Sequence, residues 1–187
     1  MAEGVRRIYC FSVICTRMKY NFREANDTDI PAIWEILQQA ILRRKADGSH
    51  QWQDGYPNPN NIRQDIEKHV GYVLTEGENI VGYTAVIIND EPAYDNIEGK
   101  WLTTGDFVVV HRVAIAENQL GKGLSKIILS FVEKFATDRN IYSIKADTNF
   151  DNPAMMKVFD KLGYVYCGEV YFRGSARRAY EKVLATG

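Results

Sequence analysis

The stretch Glu117-Asn118-Gln119-Leu120-Gly121-Lys122-Gly123-Leu124-Ser125 joins two contrasting patterns. Before it runs a β-prone segment, Phe107 to Ile115. After it Leu124, Ile127, Ile128, Phe131, Val132 and Phe135 recur at helical spacing. Such a strand-to-helix turn presents unbonded backbone N–H groups at a helix N-terminus, and the helix dipole adds to their pull on an anion. Gly121 and Gly123 have no side chain, so a phosphate can approach the backbone closely. Lys122 and Lys126 add positive charge. The same residues also fit an ordinary glycine-containing connection. Two nucleotide loops are excluded. No GxxxxGK precedes a Ser or Thr, and no third glycine completes GxGxxG after Gly121-Lys122-Gly123.

Downstream, Ile141 to Ala146 reads as a strand. Asp151 and Asn152 can cap a helix with Pro153 in its first turn, Met155, Val158, Phe159 and Leu162 on its apolar face, and Gly163 at its end. Tyr164–Phe172 and Ala176–Leu184 form a last hairpin around Arg173-Gly174-Ser175. Upstream, Tyr20 to Ala25 is a strand. Ile30, Ile33, Trp34, Leu37 and Ile41 mark a helix that stops at Ala46-Asp47-Gly48. A polar loop, His50 to Asn60, carries Trp52 and Tyr56, and Asn61 opens a short helix to about His69. Val70–Thr75 and Ile80–Asn89 make a hairpin, followed by a long loop from Asp90 to Gly105. The order βαα-ββ-βαβα-ββ predicts one mixed α/β domain.

The chain has 187 residues, 45% of them hydrophobic, and 23 Lys plus Arg against 24 Asp plus Glu give a net charge of −1. That composition excludes a disordered chain. Near-neutrality gives no global pull toward nucleic acid or an anionic membrane. The apolar run Ile8–Cys15 falls far short of the roughly 20 residues a spanning helix needs. Arg6 and Arg7 before it mimic a signal peptide, but Thr16-Arg17 stand where small residues should mark cleavage. Residues 1–17 are therefore read as an extension and 18–187 as the domain. Cys10, Cys15 and Cys167 form no CxxC pair, which predicts a cytoplasmic protein without disulfides. His50, His69 and His111 belong to no metal motif, so no metal is expected.

His111-Arg112-Val113-Ala114-Ile115 followed by Leu120-Gly121-Lys122-Gly123-Leu124-Ser125 resembles the acetyl-CoA motif of the GNAT superfamily of N-acetyltransferases. Asn152-Pro153-Ala154, Phe159 and Lys161-Leu162-Gly163-Tyr164 resemble that family's second motif. The resemblance runs from about Tyr20 to Leu184. It implies an α/β (α+β) fold: a central twisted, mostly antiparallel sheet with helices on both faces. It implies a strand that splays at Val113, Ala114 and Ile115 to leave backbone groups for pantetheine. The amides of Leu120, Gly121, Lys122, Gly123, Leu124 and Ser125, with Lys126 nearby, would hold the pyrophosphate. Asn152 would bond pantetheine, though it also reads as a plain helix cap. The family's reaction is direct attack of a primary amine on acetyl-CoA. Leu120 and Ser125 depart from the motif at positions where backbone donors do the binding. Phe159 stands where many members have a tyrosine that protonates the leaving thiolate, and water, Tyr164 or Tyr166 could substitute.

A base is needed when the amine arrives protonated. His111 is the first candidate, since an unperturbed imidazole titrates near neutrality, and it also reads as a histidine bonded within the sheet. Asp106 is the second, as an ammonium ligand or a loop cap. Trp52, Asp54 and Tyr56 are placed near the acceptor entrance or over the core. Asp90, Glu91, Asp95 and Glu98 read as a cationic-acceptor surface or as solvated charge, and Arg173, Arg177 and Arg178 as solvent-facing or interface residues. The expected acceptor is a small-molecule or peptide amine. Free strand edges near the last hairpin leave a homodimer open. Phe159 keeps a second reading in play, a catalytically weak coenzyme-binding sensor or interaction module, and a larger acyl group is a third.

Overall fold

A computed structural model describes residues 19–186 of the chain. The extension read at 1–17 lies outside the described residues. Eight strands form one sheet: β1 (Tyr20–Glu24), β2 (Gly71–Glu76), β3 (Asn79–Ile88), β4 (Glu98–Gly99), β5 (Val108–Ile115), β6 (Ser143–Thr148), β7 (Val165–Phe172) and β8 (Ser175–Val183). Their order across the sheet is β1-β2-β3-β5-β6-β8-β7-β4. Every pairing is antiparallel except β5 with β6.

Among the described residues four helices cover this sheet: α1 (Ile30–Ala46), α2 (Pro59–Glu67), α3 (Leu124–Thr137) and α4 (Pro153–Leu162). The stripe on α3 buries Leu124, Ile128, Leu129, Val132 and Ala136 against one sheet face, joined by Phe159 of α4. Each large aliphatic there contributes about 1.5–3 kcal/mol. On the other face, Ile33, Ile36, Leu37 and Ala40 of α1 and Ile62 of α2 pack on Val73, Tyr83 and Ala114. The helix expected from Asn61 starts earlier, at Pro59. Asn58 is its cap, accepting from the backbone of Asn60 and Asn61, while the Asn61 side chain bonds back to Asn58 N.

The segment expected as an open loop over 90–105 is folded onto the sheet. Pro92–Asn96 forms a 3₁₀ turn, and Tyr94 enters a third core cluster with Val109, Val170 and Ala179. Buried Glu181 of β8 accepts from Leu102 N (2.5 Å), Thr103 Oγ1 (2.5 Å) and Ser143 Oγ (2.6 Å), pinning the segment's far end. Between them β4 pairs with β7 as Gly99↔Gly168. A Cβ at either glycine would lie 2.2 Å from the opposite carbonyl, so only glycine permits this approach. The pairing covers part of the strand edge left by the last hairpin.

Candidate active site: a cleft between diverging parallel strands

Strands β5 and β6 pair only over Val108–Val110 and Ile144–Ala146. Past that point they diverge, and the backbone of β5 from His111 onward has no strand on its β6 side. A bulge against β3 accompanies the split. Two residues, Arg112 and Val113, fit where β3 offers one, and Arg112 takes a left-handed φ of 57°. Such a conformation costs about 1 kcal/mol or more for a residue with a side chain. It is held by a buried network. Arg112 donates to Asp65 Oδ1 (2.6 Å) and to the Tyr56 hydroxyl, and the Tyr83 hydroxyl donates to Asp65 Oδ2 (2.5 Å). Thr84 Oγ1 donates to the His111 carbonyl at 2.9 Å. Burial, reinforced by the Asp65 charge, pushes the Tyr83 phenol far up, so it remains a donor.

The divergence opens a cleft continuous with solvent. Its walls include Val113 and Ile115 of β5, Ala146 and Thr148 of β6, Val158 and Phe159 of α4, and Trp52 and Tyr56 of the α1–α2 connection. One end meets Leu120 and Ser125 at the start of α3. Gly123, at φ 78°, is the N-cap of that helix and supplies no side-chain cap, whereas α2 and α4 are capped by Asn58 and Asn152. The first amides of α3 therefore remain donors without a side-chain partner. Nothing lies within 4 Å of a Cβ built on Gly121 or Gly123, so the approach to these amides is open.

The first residues past the split are His111 on β5 and Asp147 on β6. His111 Nε2 lies 2.6 Å from Glu91 Oε2, and its Nδ1 lies 3.8 Å from Asp147 Oδ1, too far for a hydrogen bond. Asp147 accepts from the Tyr94 hydroxyl (2.8 Å) and from Arg177 Nη1 (3.1 Å). Burial pushes the Glu91 carboxyl up, but the hydrogen bond from His111 and its charge outweigh that and leave it below the usual range. An ionised Glu91 accepts, so Nε2 carries a hydrogen, and in the neutral form of the ring the lone pair then lies on Nδ1. Burial and the Asp147 charge push the Tyr94 phenol well up, keeping it a neutral donor.

Of the residues marked by sequence, His111, Val113, Ile115, Leu120, Ser125, Asn152, Phe159, Trp52 and Tyr56 line this cleft. Others stand elsewhere. Tyr164 is buried in the α3–α4 core against Phe159, with ring centroids 5.0 Å apart, and its hydroxyl has no partner. Tyr166 is exposed on β7. Asp106 is exposed and accepts from Asn89 Nδ2 (2.8 Å), closing a loop. Asp54 is exposed and paired with Arg173. The side chains of Ala114 and Leu124 face opposite cores. Lys122 is exposed, bonded to Gln119, and Lys126 is half-buried.

Asn152 serves as cap and more. Its Oδ1 accepts from Met155 N (3.1 Å) and Arg44 Nη1 (3.2 Å), and its Nδ2 donates to Gln51 Oε1 (3.1 Å). Ser49 Oγ adds a bond to Asp151 Oδ1 at 2.9 Å, strapping the end of α1 to the start of α4 beside the cleft.

Sequence reasoning missed Tyr94, Asp147 and Arg177 as site residues and saw Glu91 only within a charged run. Arg177, read as a solvent-facing or interface residue, lines the cleft. The available signal was alternation: Ser143, Lys145 and Asp147 are polar at every second place of a buried strand, and Arg177 precedes buried Ala179 and Glu181 in the same way.

Comparison with known proteins agrees with this geometry. Residues 31–164 match the family model for the acetyltransferase (GNAT) family. The chain belongs to the GNAT acetyltransferase family. A GNAT acetyltransferase from Streptococcus agalactiae is 34% identical, with 89% of this chain and 96% of that chain covered and a TM-score of 0.81. A Listeria monocytogenes GNAT acetyltransferase shares the fold at 23% identity and a TM-score of 0.71, covering 88% and 95% of the two chains. A Salmonella typhimurium protein described as an acetyltransferase, solved with its cofactor acetyl-CoA, shares it at 18% identity and a TM-score of 0.65, covering 90% and 95%. A search of curated proteins finds no match. Among the described residues, no helix of this GNAT domain is long and apolar enough to cross a membrane, and no cluster of three His, Cys, Asp or Glu is placed to hold a metal.

Proposed function

We propose that this protein is an N-acetyltransferase that passes the acetyl group of acetyl-CoA to a primary amine by direct attack in a ternary complex. The observation that carries the reading is the cleft itself, with uncapped α3 amides at one end and His111 beside Glu91 at the split. The residues present suit acetyl-CoA: α3 amides for the pyrophosphate, the unpaired edge of β5 for the pantetheine, and Val113, Ile115, Val158 and Phe159 for its apolar parts. Acetyl-CoA supplies the activated thioester.

The chain's own contribution is placement and proton handling. His111 Nδ1 receives the proton that the attacking amine sheds, and Glu91 fixes the ring and balances the imidazolium. The C–N bond forms, the C–S bond breaks, and coenzyme A leaves as a thiolate that solvent protonates. Phe159 offers no proton. Cys167, buried on β7 with its thiol pushed up by burial, is not among the cleft-lining residues, which suits direct transfer. The test is thiol release from acetyl-CoA across amino acids, polyamines, aminoglycosides and peptides. Release with some of these amines supports the reading. Binding without release marks a coenzyme-binding module instead, the alternative that Phe159 favours. Turnover of propionyl- or succinyl-CoA above acetyl-CoA reassigns the acyl group.

A further inference from the structure

The charges at the acceptor end of the cleft are already matched in pairs. Asp65 is held by Arg112 and Tyr83, Glu91 by His111, and Asp147 by Tyr94 and Arg177. The rest of the acidic loop turns away. Asp90, Asp95 and Glu98 are exposed, and Glu98 is bonded by the Tyr171 hydroxyl. Among the described residues no surplus of carboxylates faces the cleft to draw in a polycation.

Three arginines on this cleft, Arg44, Arg112 and Arg177, have a buried Nε without a partner, and in Arg44 and Arg112 both terminal nitrogens are bonded, which leaves Arg177 with the free edge. Its guanidinium lies over the Phe172 ring, 4.5 Å from the centroid, and its side chain is 20% exposed. Nη1 donates to Asp147, which fixes its orientation. Nε is buried without a partner, and Nη2 bonds nothing among the described residues. The Nε–Nη2 edge of a guanidinium is a two-pronged donor for an oxyanion, and a buried donor left unpaired costs about 1–3 kcal/mol. An anionic ligand group at this edge would recover that cost.

We propose that the acceptor is an amine that itself carries a carboxylate, of the amino-acid type, with Arg177 gripping the acid group. The proposal rests on the N-acetyltransferase reading and narrows its substrate class. Arg177 and His111 flank the two oxygens of one carboxylate, Asp147. Acid group and reacting amine are therefore separated by only a few bonds. Trp52 and Tyr56 bound the space left for the remainder of the acceptor.

The test compares thiol release for glycine, L-alanine, β-alanine and larger L-amino acids, each beside its primary amide, with putrescine and spermidine alongside. The expected result is a kcat/KM for the acids roughly 10- to 100-fold above their amides, the range of a hydrogen-bonded charge. Arg177→Gln should collapse that ratio, and Arg177→Lys should retain part of it. The change in ratio between variant and wild type cancels intrinsic differences in amine reactivity. Amides or polyamines turned over as fast as the acids would overturn the proposal. So would an Arg177→Gln variant that slows acid and amide by one common factor, which marks a structural role. Release with no amine at all, while acetyl-CoA still binds, overturns the transferase reading and this proposal with it.

Discussion

At the scale of single residues, the site depends on which groups keep a free bond. His111 has one nitrogen committed to Glu91 and the other unbonded beside Asp147. That asymmetry suits the base role proposed for it. Tyr164 shows the opposite case. Its hydroxyl is buried without a partner, and burial, then the Glu133 charge, pushes it well above the usual phenol range. A group so placed neither reaches the cleft nor contributes stability. Tyr164→Phe should raise stability by about 1 kcal/mol, since an unsatisfied buried hydroxyl is removed, and should leave kcat unchanged. Denaturant midpoints and thiol release check both halves, and a large fall in kcat would return Tyr164 to the mechanism. Sequence could single out His111 because its strand and motif were recognisable. It could not separate Glu91 from its acidic neighbours, because the Glu91–His111 contact forms between a loop and a strand and has no periodicity.

At the scale of elements, two ion-paired carboxylates fix how elements begin and bend. The first is Asp65, paired with Arg112 at the bulge in β5. Arg112 and Asp65 have side chains 9% and 8% exposed, so removing one leaves the other charge buried and unmatched. Asp65→Asn should cost about 3–5 kcal/mol, read from the denaturant midpoint, and should slow thiol release by letting His111 shift. A loss below 1 kcal/mol would show that the bulge stands without the pair. The second is Asp29, at the entry to α1. Asp29 accepts two bonds from Arg23 (2.7 and 2.9 Å) and one from Asn26 N (2.9 Å). The Arg23 bond, with help from Asn26 and against burial, holds its carboxyl below the usual value of 3.8. A depressed carboxyl contributes stability that is fully present above its unfolded value and is lost as pH falls through the folded one. Asp29→Ala should therefore cost about 1–2 kcal/mol at pH 7, and the gap to wild type should close below pH 3.8. A gap independent of pH would reassign the effect to helix propensity. The bulge was not legible in the sequence, because Arg112 carries no glycine to flag a left-handed residue. The α3 turn was legible, because its two glycines do.

At the scale of the whole molecule, one parallel pair within an otherwise antiparallel sheet places the candidate site. Among the described residues only β5 and β6 run parallel, and their divergence makes the gap in the sheet. The element order was readable because α3 and α4 carry clean apolar stripes and the hairpins carry turn residues. The 90–106 segment was not, because its anchors, Tyr94 and Glu181, act through contacts distant in sequence. The central claim is that the cleft receives acetyl-CoA with its pyrophosphate on the α3 amides. Gly123→Asp tests it directly. Aspartate tolerates the left-handed conformation better than most residues, and open space surrounds the added Cβ, so the variant should fold. Its carboxylate would face the pyrophosphate at the same amides, and like charges in contact cost several kcal/mol. Calorimetric titration with acetyl-CoA should give saturable binding to the wild type, in roughly the micromolar range, and none to the variant. Equal affinity in both proteins, or no binding to the wild type, would contradict the account.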